Sequence, residues 1–283
     1  MTTASQPGSS STGTARDLRD GATILHASPR MVSVIAAVPV AWFIALAAEL
    51  TGTAILLHHH TLIEGGPPLW IGLPAFLLAW QVMVAAMMLP ASLPAIGSFD
   101  AAGAGGEHPS AALASYVTGY ALVWTGYAVA AFTFDIGLHH LADANPWLGD
   151  RPWLIEGTAV LAAAIYQFLP LKMRGLEACR HPSIHHADGA RPGAGRHSAE
   201  RASSMAAGVR HGVDCLVSSW ALMLLMFAAG FANVWWMAAL AGAMAFETFA
   251  PNARRSAAVI GLILLALAAA ILVLHWIPAF TET

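Results

Sequence analysis

The chain has 283 residues, of which 57% are hydrophobic and only 10% charged, and its formal net charge is -3. So few polar residues cannot cover a soluble domain of this size, which excludes a water-soluble globular enzyme and leaves an integral membrane protein. A small net charge with no basic folded domain also excludes a nucleic-acid binder.

Residues 1–30 are rich in Ser, Thr and Gly with little to bury, so they read as a disordered cytoplasmic tail. Apolar runs of roughly 20 residues, the length that spans a bilayer as helix, then follow at 31–57, 69–92, 112–138, 153–171, 211–229, 232–249 and 256–277. The first run starts too late and is too long for a cleaved signal peptide, so it stays as a helix. Pro182, Gly189, Pro192, Gly193 and Gly195 break the stretch 172–210, which reads as a basic cytoplasmic loop. Residues 278–283 form a short outer tail. The expected fold is therefore all-α: a polytopic membrane helix bundle of about seven transmembrane helices over residues 31–277, multi-pass in an inner membrane.

If the helices alternate, Arg16, Arg19, Arg30, Lys172, Arg174, Arg180, Arg191, Arg196, Arg201, Arg210, Arg254 and Arg255 fall on one side and Arg151 alone on the other. Cytoplasmic loops hold the excess of Lys and Arg, which puts the N-terminus inside and the C-terminus outside. The last span carries no Lys for a retinal Schiff base.

Polar and sulfur side chains at membrane depth are expensive and mark function. In the second run Met83 and Met87 are four apart on one face, with Met88 beside them. In the fifth, His211, Cys215, Ser219, Met223 and Met226 follow a three-to-four spacing, as do Asn233, Met237, Met244 and Glu247 in the sixth. Single Met residues fill gaps in any apolar interface. Several converging on one place are soft donors that select Cu(I) over hard cations.

A second group maps to the outer face: His58, His59 and His60 after the first run, Asp135 and His139 at the end of the third beside His140, Glu156 and His275. Imidazole with carboxylate suits Zn(II), Cu(II) or iron, although interfacial His residues also occur as solvated loop ends. Glu49, about two turns inside the outer end of the first run, must face protein or water. Gln167 and Asn233 read as ties between helices.

The blocks "MVAAMMLP", "YQFLPLKMRGLEACRHP" and "GVRHGVDCLVSSWALMLLMFAAGFANVWWMAAL", with Glu247 after them, resemble the predicted metal-binding integral membrane proteins. This is a bacterial family with a domain of unknown function, some of whose members are described as copper chaperones. The resemblance runs through roughly residues 70–250 and implies a polytopic helical fold that handles copper. It also implies a Cys-x3-Cys pair where Gly175 and Cys179 stand and a Cys-Cys pair where Ser218 and Ser219 stand, with Met at Ala232 and Lys at Thr248. Of those sulfur positions only Cys179 carries sulfur here.

The function expected is binding of a transition metal, copper first, for handling or delivery to a metal-receiving protein. The expected ligands are Met83, Met87, Met88, His211, Cys215, Met223 and Met237. Two alternatives stay open: a non-catalytic accessory subunit that packs against a membrane partner and binds no metal, and a secondary transporter that would lean on Glu49, Asp135 and Glu247. No general acid–base or nucleophilic pair stands out, so an enzyme is disfavoured.

Overall fold

The computed structural model of the protein describes residues 28–53, 68–180, 196–228 and 233–281. The expected N-terminal tail, the His58, His59 and His60 run and the glycine-broken part of the basic stretch lie outside these residues. What is described is helical throughout, with no strand.

The first helix, α1 (Pro29–Leu50), is started by Ser28, whose Oγ accepts from Met31 N at 3.2 Å, and by Pro29, whose missing N–H costs nothing in a first turn. It stops at Leu50, before Gly52, which adopts φ +70°. Glu49 is exposed near the end of this helix.

The second apolar run is two helices, α2 (Leu69–Met87) and α3 (Leu89–Ala102), separated at Met88. Pro90 has no N–H to give to the carbonyl of Ala86, four residues back. Trp42 of α1 supplies the missing donor, its Nε1 lying 3.0 Å from Ala86 O. At the other end of α1, Arg30 Nε pairs with Asp100 Oδ1 of α3 at 3.0 Å and Ser28 Oγ donates to Asp100 Oδ2 at 2.5 Å.

Helix α4 (Pro109–Ala144) has 36 residues. At 1.5 Å per residue it is about 54 Å long and outruns the hydrocarbon core of a bilayer. A single turn, α5 (Pro146–Gly149), leads to α6 (Pro152–Tyr166), which bends by 67° into α7 (Pro170–Arg180). Pro170 again removes a helical N–H at the bend. The 33-residue α8 (Arg196–Ala228), α9 (Val234–Phe249) and α10 (Ala253–Thr281) complete the chain.

Among the described residues five helices are long and apolar enough to cross a membrane, or six if α6 and α7 cross as one bent span; α9 has 16 residues and is shorter. The expected count was seven. Both ends of the stretch 172–210, expected to be loop, are helical, in α7 and α8, and Lys172, counted there among loop charges, is 1% exposed. The outer tail is helical as far as Thr281. Asn233, expected as a tie between helices, caps α9 with its Oδ1, which accepts from Trp235 N at 3.0 Å and Trp236 N at 3.1 Å. Large apolar side chains such as Phe43, Leu50, Trp235, Leu262 and Leu274 point outward, as they would toward lipid.

The centre of the bundle is the α4–α8 pair, the most extensive helix contact in the molecule. Glycines make it possible. A Cβ on Gly208 would run into the carbonyl of Tyr116, and one on Gly119 into the carbonyl of Met205, so the two backbones touch directly. We expect Gly208→Ala to cost roughly 2 to 3 kcal/mol of stability, the upper end of overpacking, because the obstacle is backbone that cannot rotate away. Gly126→Ala on the same α4, where a Cβ meets nothing within 4 Å, is the control in detergent unfolding. Equal stability of the two variants would mean that the helices do not cross this closely.

Candidate metal centre

Four elements meet around one small cavity beside this crossing. It has about 10 Å³ of room, enough for one water-sized body, and it is lined by Met88, Leu176, Cys179, Cys215, Ser218, Ser219, Met244, Glu247 and Thr248 together with Ala91. Its sulfur comes from three helices and a helix break.

On α8, Cys215, Ser218 and Ser219 stand at i, i+3 and i+4 and so share a face. Both serine hydroxyls donate back to the carbonyl of Cys215 at 2.7 Å, which fixes their rotamers. The Oγ of Ser219 also lies 3.7 Å from Met88 Sδ. Met88 reaches the cavity because it occupies the break between α2 and α3 rather than a helix interior.

Cys179 arrives from α7 by a close approach. A Cβ on Gly175 would lie 2.9 Å from Ser218 N and 2.8 Å from Val217 Cγ1, so at this position α7 lies on the α8 backbone. One turn further along, Cys179 lines the same small cavity as Cys215. Both are free and buried. The hydroxyl of Tyr120 lies 3.3 Å from Cys215 Sγ, within hydrogen-bond reach, and accepts from Ser92 Oγ at 3.1 Å.

Below the sulfur atoms a buried ion pair joins α7 to α9. Lys172 Nζ donates to Glu247 Oε2 at 2.6 Å and to the carbonyl of Ser218 at 2.5 Å, and the two side chains are 1% and 2% exposed. Glu247 Oε1 is buried without a hydrogen-bond partner among the described residues, as is Oε1 of Gln167 at the α6–α7 bend.

The structure places the expected ligands in three groups. Met88 and Cys215 line the cavity. Met83, Met87, Met223 and Met237 are buried in the same apolar core but do not line it. His211 is 3% exposed, one turn before Cys215, between the rings of Tyr116 and Tyr120 at 6.0 and 5.4 Å, and neither ring nitrogen has a hydrogen-bond partner.

Two cavity sulfurs were not among the preferred ligands: Cys179, read as part of a loop, and Met244, seen on the α9 stripe three residues before Glu247. The signal for Cys179 was the amphipathic register of 170–180, with Lys172, Gly175, Leu176 and Cys179 all inward.

At the outer group, His139 Nδ1 lies 2.9 Å from Asp135 O and 3.7 Å from Asp135 Oδ1. His275 stacks on Trp153 at 5.9 Å, while Glu156 is exposed. No three His, Cys, Asp or Glu side chains come together to hold a metal among the described residues. The sulfur atoms that line the cavity are two thiols and two thioethers, donors of a kind that suits a soft monovalent ion.

A family model described as copper chaperone matches residues 77–271, a span that contains every one of these sulfur atoms. No curated protein and no solved structure matches the chain.

Proposed function

The chain belongs to this copper chaperone family, and from that premise we propose that it is a multi-pass membrane protein that takes up Cu(I) at Met88, Cys179, Cys215 and Met244 and hands it to a metal-receiving protein. The observation that carries the reading is the convergence of those four side chains on one ion-sized cavity. Copper here is cargo. A site for cargo needs affinity without permanence, and a mixed set provides it. The thiols must lose protons to bind, which ties their grip to the surroundings, whereas the thioethers bind without deprotonation and exchange readily. His211, buried and unpartnered one turn from Cys215, is suited to receive the ion as it leaves sulfur.

The donor assignment is tested by methionine replacement. Leu and Met exchange in cores at under roughly 1.5 kcal/mol, so Met→Leu removes the sulfur while keeping the packing. We expect Met88→Leu to weaken Cu(I) binding about tenfold in a chelator competition, equivalent to roughly 1.4 kcal/mol. Met83→Leu and Met87→Leu, away from the cavity, should leave it unchanged. If the order is reversed, the ion is held higher in the second run and the cavity is not its site.

A further inference from the structure

Cys179 and Cys215 are the only two cysteines in the sequence, and the fold brings them, both buried, from two helices to one small cavity. The same cavity holds a second kind of donor. Glu247 also lines it, with Ser218 and Ser219. A pure Cu(I) site has no use for hard oxygen donors, but Cu(II) prefers them. From this juxtaposition we infer that the protein also reduces Cu(II), the Cys179–Cys215 dithiol being the electron source. The inference rests on the copper-handling reading above and extends it to the ion's oxidation state.

The step balances with cupric ion as the named oxidant. Each thiol gives up one proton and one electron, a sulfur–sulfur bond forms between Cys179 and Cys215, two cupric ions become cuprous, and two protons pass to water. The cavity takes one ion at a time. The first therefore leaves a one-electron-oxidised sulfur pair, and the second removes the remaining electron and completes the disulfide. Oxidation consumes both thiols as ligands and leaves the cuprous product to the thioethers of Met88 and Met244, which cannot form a disulfide and do not need to lose a proton. Burial matters to the chemistry: with each thiol at 4% and 2% exposure, neither meets a thiol of another molecule, so the crosslink is within the chain.

The test uses the full chain in detergent, fully reduced, freed of reductant and kept without oxygen. Cu(II) chloride is added stepwise and followed by electron paramagnetic resonance, and remaining thiols are then counted in denaturant. For the parent chain the expected result is loss of the cupric signal for the first two equivalents, loss of both thiols, and an intramolecular Cys179–Cys215 crosslink by mass spectrometry. Cys179→Ser and Cys215→Ser should each leave the signal intact. The remaining thiol of each variant should stay shielded from a thiol reagent until denaturant is added, which shows that the variant is folded. A persistent signal in the parent, or equal loss in the single-cysteine variants, overturns the inference. A separate Cu(I) competition distinguishes the two claims: Cu(I) binding without Cu(II) reduction sinks this inference alone, and reduction without Cu(I) retention upholds it while sinking the handling reading.

Discussion

Lys172→Met is expected to destabilise the folded protein by about 3 to 5 kcal/mol, the usual result of removing one partner from a buried ion pair. The cause is what remains. Glu247 would keep a carboxylate at 2% exposure with Oε2 stripped of its 2.6 Å partner and Oε1 already without one. The carbonyl of Ser218 would lose its donor at the same time. Adding Glu247→Leu to Lys172→Met should recover most of the loss, since a buried pair exchanged for apolar groups of similar volume is often close to neutral. Unfolding in detergent measures both. A single variant as stable as the parent would mean that Lys172 reaches water and that α7 does not pack as described.

Cys215→Ser should weaken Cu(I) binding by a factor on the order of 100 or more, because even the loss of an outer partner of a metal ligand commonly costs 10 to 100-fold. Cys179→Ser should do nearly as much. The reverse change is also informative. The Oγ of Ser219 lies 3.7 Å from Met88 Sδ, so Ser219→Cys places a third thiol at the cavity and should tighten binding. Gly175→Cys should not. The family pattern has sulfur at that position, but here its Cβ would lie 2.9 Å from Ser218 N and α7 would have to lift away from α8. Tighter binding in Gly175→Cys than in Ser219→Cys would contradict the close approach of these two helices.

Composition and apolar run length were enough to predict helices long and apolar enough to cross a membrane, because those signals are local. The number of spans was less legible. Proline at positions 90 and 170 divides runs that look continuous by hydropathy, since a missing N–H breaks a helix without lowering its apolarity. Lys172 misled in another way: a lone Lys after an apolar run reads as a loop charge, and only its partner Glu247, distant in sequence, shows that it is buried.

The methionine stripes do not show which of their turns lines the cavity. Periodicity tells which residues share a face, not which part of that face meets another helix. Met83 and Met87 share their face as expected and end in apolar core, whereas Met88, off that face, reaches the cavity through the break at Pro90. Cys179 was marked in the sequence only by the amphipathic register of 170–180, and the close approach of Gly175 to α8 explains why that face is inward.

The central claim is that copper is held by sulfur at this cavity, and the most direct measurement is the X-ray absorption spectrum of the full chain loaded with Cu(I). The account predicts a nearest shell of sulfur alone, diminished in Cys215→Ser and in Met88→Leu. A nearest shell of nitrogen and oxygen, unchanged in those variants, would place the ion elsewhere and contradict it.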